Sequence, residues 1–511
     1  MDRSKNLPLL LMAVAALALC FATTALSQGQ TVSTLVALDS KMGGAPQGTL
    51  VQGRDGNFYG TTEYNGADSG GTAFRVTPSG SVKVLHNFCA EQDCRDGEYA
   101  VAGLLQANDG SIYGTTSLGG ASNFGTVFKM TPAGKLSTLY SFCSQAGCTD
   151  GEYPEAGLIQ GTDGNLYGEA VNGGAFGGGC GSYGCGTLFK ITPQGTLTTL
   201  YTFCVQPNDN CTDGELPIGG LIQGTDGSFY GTTASGGNSE TCANGCGTVF
   251  RLTTEGVLTT LYTFCSLQNC ADGVSPHSGV IEGSDGNFYG TTSAGGMQYC
   301  GPYGAGCGTV FRITAEGALT TLHAFDDTDG AQVFAGVAQG TDGNFYGTTY
   351  SGGAYDSCFG TCGTIFEITP SGQLTTLYNF CSQANCADGD NPLAGLAQGT
   401  DGKFYGTTYQ GGMDSFTCTF GCGTIFSVNV GLGPFVEPRP TSGVVKSNIV
   451  LLGTNLTGAT GVSFNNTPAK FKVVSNTEIM TKVPKGATTG PVTVTTPSGV
   501  LISNVVFRVA N

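Results

Sequence analysis

One motif recurs so regularly that it limits the folds open to the chain. Gly161-Thr162-Asp163-Gly164-Asn165-Leu166-Tyr167-Gly168 has seven close copies, with the central aspartates at Asp55, Asp109, Asp163, Asp226, Asp285, Asp342 and Asp401. The intervals are 54, 54, 63, 59, 57 and 59 residues. A period of this size means a tandem array of one supersecondary unit, with loops of variable length between copies.

Within residues 156–203, Ala156–Gln160 reads as a short apolar strand and Thr162–Asn165 as a tight hairpin turn, because Asp-Gly tolerates positive φ. Leu166-Tyr167-Gly168 opens a second strand, Gly186–Thr192 forms a third, and Leu197–Phe203 a fourth after Pro193-Gln194-Gly195. Seven four-stranded antiparallel units arranged radially make a β-propeller, which hides most strand edges by closing on itself. The last copy stops at Gly423–Ser427 without a fourth strand, and the missing one stands at the other end, as Ser33–Leu38. The expected fold is therefore all-β: a seven-bladed propeller whose N-terminal strand completes the last blade.

Aromatic residues hold the same register in every copy, as the Tyr59, Tyr113, Tyr167 series and the Phe74, Phe128, Phe189 series, which predicts a core between blades. Gln52, Gln106, Gln160, Gln223, Gln339 and Gln398, with Glu282 in the equivalent place, make a polar ring near one end of the channel. Such a ring either binds a ligand or satisfies backbone groups between blades.

Composition narrows the function. Lys plus Arg number 20 against 37 Asp plus Glu, and a net charge of −17 argues against a nucleic-acid backbone as partner. The start of the chain has Arg3 and Lys5, an apolar run from Leu7 to about Ala22, and Ala25-Leu26-Ser27, the layout of a signal peptide over 1–27. Leu19 before Cys20 does not suit a lipoprotein site. The remaining 20 cysteines fall into ten close pairs, which in an exported chain predicts disulfides before metal. Five follow a fourth strand: Cys89-Cys94, Cys143-Cys148, Cys204-Cys211, Cys265-Cys270 and Cys381-Cys386. Five lie between second and third strands: Cys180-Cys185, Cys242-Cys246, Cys300-Cys307, Cys358-Cys362 and Cys418-Cys422. Each pair is present or absent as a unit, as expected if its members bond to each other; zinc sites built from four of them are the alternative. In an up-and-down blade both loop types emerge on one face, which the staples would stiffen for binding or protect from proteolysis.

The same face carries Asp96, Asp150, Asp213, Asp272, Asp329 and Asp388, each followed by Gly, together with His277. These are the candidate binding residues. They could gather calcium, but there is no loop with carboxylates at alternating positions and a closing Glu, so turn formation is the simpler reading and no cofactor is implied. His86 and His323 take the place held elsewhere by Tyr140, Tyr201, Tyr262 and Tyr378, and no His has an evident nucleophile beside it. No catalytic residue is assigned.

After a linker at 431–434 the repeat ends, Cys disappears and Val and Thr alternate, so residues 435–511 read as a β-sandwich following a propeller over 28–430. The repeats, with Asp-Gly-Asn-Phe-Tyr-Gly-Thr-Thr at 285–292, Gly-Thr-Val-Phe-Arg-Ile-Thr at 308–314 and Leu-Thr-Thr-Leu at 319–322, resemble the GloVer tandem repeat of bacterial exported proteins. The tail, with Leu452-Gly453-Thr454-Asn455-Leu456 and Gly490-Pro491-Val492-Thr493-Val494, resembles an IPT/TIG immunoglobulin-like domain. That resemblance implies a spacer or interaction module and offers no catalytic residue. The expected function is binding or adhesion at the stapled face, with carbohydrate or a surface protein as partner. A polysaccharide-degrading enzyme with acidic residues at the channel mouth and a structural envelope component are the alternatives.

Overall fold

The computed structural model describes residues 30–174, 180, 183–205, 211–237, 241–297, 300, 305–354, 362–412, 418 and 420–510. The proposed signal peptide at 1–27 and Cys358 lie outside them. Each repeat forms one antiparallel sheet of four strands, taken in chain order from the axis outward. Blade 1, for example, holds Val51–Gln52, Phe58–Thr62, Thr72–Val76 and Val82–Asn87. Six such sheets are followed by a seventh whose order is Ala397–Gln398, Phe404–Thr408, Thr424–Asn429 and then Thr31–Ala37. The strand Thr31–Ala37 thus closes the last blade, pairing Thr31 with Asn429 and Ala37 with Thr424.

The seams between blades are aromatic. Tyr405 of blade 7 meets Phe58 of blade 1 at 4.0 Å between ring centroids, matching Tyr167–Phe229, Tyr230–Phe288, Tyr289–Phe345 and Tyr346–Phe404 at 4.0–4.3 Å. Ring closure is therefore packed like four of the six internal seams; at the other two Ile112 and Leu166 take the place of the phenylalanine. The innermost strand is shorter than the expected five residues, only two, as in Ile159–Gln160. The preceding residues leave the ladder because neighbouring backbones meet at the axis: a Cβ on Gly48 would sit 2.5 Å from the Ala102 carbonyl carbon.

The glutamine ring stitches the seams. Gln106 accepts the Arg54 amide of the blade before it (2.8 Å) and donates to the Gly110 carbonyl of its own turn (3.3 Å). Gln160, Gln223 and Gln339 repeat the pattern, and Gln52 accepts from Thr400 (2.9 Å) across the closing seam; at the seam of blades 6 and 7 Gln398 instead donates to the Thr341 hydroxyl (3.4 Å), and its Oε1 has no partner. The ring satisfies backbone, as an amide with one donor and one acceptor at the right separation can.

One seam is different. In six blades the second strand donates a threonine hydroxyl to a carbonyl of the next blade, as Thr61 does to Ala102 and Thr232 to Ser278, both at 2.9 Å. Blade 3 has Glu169 there. The facing peptide is turned over at Gly220 (φ +85°), so that its N–H meets Glu169 Oε2 at 2.8 Å. Glu169 is fully buried and its Oε1 has no partner. Burial pushes this carboxyl up to about 8, opposed by the Gly220 amide.

Residues 437–510 form the sandwich. One sheet holds Glu437–Arg439, Asn448–Leu452, Glu478–Lys482 and Phe471–Val473; the other holds Thr467–Pro468, Gly461–Phe464, Val492–Thr496 and Gly499–Ile502. Ile449, Leu451, Val462, Phe464, Ile479, Val492, Val494 and Phe507 fill the space between them. The sandwich sits on the propeller face made by the Asp-Gly turns. Phe435 donates its amide to the Thr400 carbonyl of blade 7 (3.1 Å), Thr477 its hydroxyl to Arg54 of blade 1 (2.7 Å), and Arg508 its guanidinium to Thr225 of blade 4. Blade 4 lies across the axis from the seam of blades 7 and 1, so the sandwich spans the turn-side end of the channel. No helix of the described residues is long and apolar enough to cross a membrane.

Candidate functional site at the channel mouth

The two cysteine loops of each blade share the face opposite the sandwich. The structure pairs nine of the ten sets within their own loops, Cys89–Cys94, Cys143–Cys148, Cys180–Cys185, Cys204–Cys211, Cys242–Cys246, Cys265–Cys270, Cys300–Cys307, Cys381–Cys386 and Cys418–Cys422. In blade 3 the two bridges touch, with Cys211 Sγ 3.9 Å from both Cys180 Sγ and Cys185 Sγ. The sulfurs of Cys180, Cys185, Cys204 and Cys211 lie within 4.8 Å of one another, a spacing a soft metal could use if they were reduced. Blades 1, 2, 5 and 7 carry a single pair, so a pair does not need the other to keep its place.

The six loop aspartates turn inward. Asp150 is fully buried; its Oδ2 takes the Tyr140 hydroxyl (2.8 Å) and the Ser144 amide (2.9 Å), and its Oδ1 the Gln145 amide (3.2 Å). Asp272 and Asp388 repeat this with Tyr262 and Tyr378, and Asp213 with Tyr201 and the Cys204 amide. In blades 1 and 5 histidine replaces the tyrosine: His86 Nε2 meets Asp96 Oδ2 at 2.8 Å, and His323 meets Asp329 at 2.7 Å. These carboxylates hold the start of each stapled loop to the outer strand. Asp213 also borders an open groove of about 470 Å³ with Thr149, Thr199, Tyr201 and Val205.

What the loops position is a ring of strained residues around the channel mouth. Ala45, Tyr99, Tyr153, Leu216, Ser275, Gln332 and Asn391 occupy one repeat position, and all have φ between 51° and 57° although none is glycine. Such strain persists only where surrounding bonds over-determine it. Here they do. Each of the seven donates its amide to the preceding blade's second loop and accepts from the residue just past its own second strand: Ser275 N–H meets the Cys246 carbonyl at 2.9 Å, and Ser293 N–H meets the Ser275 carbonyl at 3.1 Å. In five blades that outer acceptor is the carbonyl of a stapled cysteine, Cys185, Cys246, Cys307, Cys362 or Cys422. The staple therefore fixes the atom that fixes the mouth.

Two residues further on, immediately before the axial backbone, the ring reads Gln47, Val101, Glu155, Ile218, His277, Phe334 and Leu393. The adjoining ring, just past the second strands, reads Glu63, Ser117, Val171, Ala234, Ser293, Tyr350 and Tyr409. Aromatic and polar groups gather on the side of blades 5, 6, 7 and 1. His277 meets Phe334 edge-on at 5.0 Å, Phe334 meets Tyr350 at 5.5 Å, and Tyr64, 40% exposed, meets Tyr99 at 5.7 Å. Glu63 accepts from the Gln47 side-chain amide, and the Tyr64 and Tyr409 hydroxyls lie near enough to favour its charged form. Burial pushes the Glu63 carboxyl up against these groups. Glu155 is open to solvent yet hemmed in by the mouth; burial and then the charge of Glu63 push it up as well. His277 Nδ1 lies 3.0 Å from both the Ser275 carbonyl, to which it donates when protonated, and the Ser293 hydroxyl, and burial pushes its pKa down. The imidazole is thus a neutral polar wall at pH 7, not a cation.

Of the residues singled out in the sequence, His277 reaches the mouth and the aspartates support it from behind. Sequence reasoning passed over Glu63, Tyr64, Tyr99, Glu155, Phe334, Tyr350 and Tyr409. Their signal was present in the repeat: an aromatic or acid directly after Thr-Thr, or beyond Asp-Gly, at places where other copies carry small residues.

No curated protein matches the sequence. Among solved structures the fold is similar to a fungal alcohol oxidase of the AA5 family in complex with copper, at 11% identity over 94% of this chain and 99% of that one, with a TM-score of 0.47. It is also similar to the extracellular domain of a hybrid two-component system from B. thetaiotaomicron (9% identity, 93% of this chain and 58% of that chain, TM-score 0.48). A luciferin-regenerating enzyme aligns at 11% identity over 80% of this chain and 98% of that chain, with a TM-score of 0.41. Sequence similarity is more specific: the Gloeobacter/Verrucomicrobia repeat matches at residues 21–241, 179–412 and 297–490, and the chain belongs to that repeat family.

Proposed function

We propose that this is an exported, non-enzymatic binding protein that holds carbohydrate at the mouth of its propeller channel, on the disulfide-stapled face. The observation that carries the reading is the arc of Tyr99, Tyr64, Tyr409, Tyr350, Phe334 and His277 around an acid-containing mouth. Sugar rings present apolar faces that pack on aromatic planes and hydroxyls that pair with carboxylates, amides and phenols, and rigid walls lose little entropy on binding. Stapled loops and seven over-determined backbone positions supply that rigidity.

The exported state follows from the proposed leader at 1–27 and from disulfides that belong to an oxidising compartment. The IPT/TIG-like sandwich over 435–511 serves as a spacer or interaction module. Glu63 is already committed to the Gln47 amide and flanked by the Tyr64 and Tyr409 hydroxyls, which suits an orienting wall better than a free acid or base. A glycan array with the mature protein tests the proposal, followed by calorimetry on any hit with Tyr64→Ala and Tyr350→Ala. Binding that both variants abolish supports it. Sugar release lost in Glu155→Gln would establish the polysaccharide-degrading reading, and an array without hits would leave a structural envelope role.

A further inference from the structure

The four hydrogen bonds that seat the sandwich among the described residues, counting that between the Thr400 and Thr454 hydroxyls at 2.9 Å, fall on one repeat position. Arg54, Thr225 and Thr400 each precede the Asp-Gly of their turn, and in each the carbonyl points out of the turn face while the amide is tied to the next blade's ring residue. A seven-bladed disc repeats this carbonyl around its axis, so the seat alone does not specify one angular setting. Contacts to blades 7 and 1 lie beside the linker and act as a hinge. Among the described residues, the hydrogen bond that reaches the far side is that of Arg508 to Thr225.

The far-side turn also differs from the others. Six ring positions are glutamine, but the one that serves Thr225 is Glu282. Its carboxylate accepts the Thr225 amide at 2.8 Å and the Thr225 hydroxyl as well. Unlike glutamine it has no proton to give the Gly286 carbonyl, so the substitution forfeits one bond of the stitch. In return it places a negative charge on the residue whose carbonyl takes the Arg508 guanidinium. Local cost at the blade whose carbonyl takes the Arg508 guanidinium is the pattern of a register device.

We infer that Glu282 is a positioning residue which, through Thr225, selects blade 4 for Arg508 and so latches the sandwich across the turn-side end of the channel. The inference does not depend on what the mouth binds. With the latch closed, the channel opens on the stapled face; with it open, the sandwich swings about its contacts to blades 7 and 1.

Hydrogen exchange of the full chain tests this, comparing Glu282→Gln and Arg508→Met with the parent. Gln fills this position in six other blades, so Glu282→Gln folds and its thermal midpoint stays at or above the parent's. Exchange of the 505–510 segment accelerates about two- to fivefold in Glu282→Gln, as expected for a solvent-screened charge, and about tenfold in Arg508→Met, which removes a charged donor. The Glu282→Gln effect shrinks in 1 M salt, whereas the Arg508→Met effect persists. Unchanged exchange at 505–510 in both variants overturns the latch. Acceleration spread evenly through residues 281–292 in Glu282→Gln, with 505–510 unchanged, overturns it too and returns Glu282 to the ring stitch.

Discussion

The two faces of the disc are built from the same seven repeats and obey different rules. On the turn face one position reads Gln, Gln, Gln, Gln, Glu, Gln, Gln; all but Gln398 accept a backbone amide across a seam, and every glutamine donates to the carbonyl of its own turn. On the stapled face the ring before the axis reads Gln47, Val101, Glu155, Ile218, His277, Phe334 and Leu393, seven residue types at one position. A position that closes the ring faces the same neighbour in every blade, so one side chain serves all seven. A position that meets only solvent or ligand is free to differ, and the differences create a polar, aromatic side and an apolar side.

That contrast can be broken most sharply at the one seam where the interior departs from the rule. Glu169 has an unfolded pKa near 4.5 and a folded one near 8, so the folded state holds its proton longer. Its contribution is complete below pH 4.5 and is lost as pH rises to about 8, by up to about 5 kcal/mol at ~1.4 kcal/mol per unit. Chemical denaturation across that range should show the decline, and Glu169→Gln should flatten it. A parent curve that runs level from pH 5 to 8 would mean that Oε1 has another partner.

Ring closure comes next. Phe58→Ala removes a fully buried ring stacked on Tyr405 and should cost about 3–5 kcal/mol by urea titration. The same loss for Phe229→Ala would establish that the closing seam and an internal one are equivalent. Cutting one stitch is milder: Gln106→Ala leaves the Arg54 amide without its acceptor and should cost about 1–3 kcal/mol. Gln160→Ala should match it, since the turn face treats blades alike. The smallest effect belongs to the mouth, where Tyr64→Ala should shift stability by less than about 0.5 kcal/mol while abolishing ligand binding. A large destabilisation there would make the aromatic arc a packing element and remove the contrast between faces.

Much of the scaffold was legible because its determinants are local and repeated. Asp-Gly turns, the Tyr and Phe registers and the unpaired last copy sufficed for seven blades and for a closing strand at Ser33–Leu38, which the fold places at Thr31–Ala37. The candidate site was less legible. The loop aspartates drew notice for their recurrence, yet Asp150 and its equivalents recur because each performs the same internal bonding. The mouth residues went unremarked because they do not recur, and a repeat-based reading discounts what varies.

From sequence alone came the repeat count, the strand order within a blade and the disulfide partners, since each depends on residues close together in the chain or on a register fixed by side-chain alternation. Only the tertiary structure decided which residues surround the mouth, that Glu169 faces an inverted peptide at Gly220, and that Arg508 crosses to blade 4. Those relations join residues tens to hundreds of positions apart, and they exist only once the ring has closed and brought separate blades to a common axis.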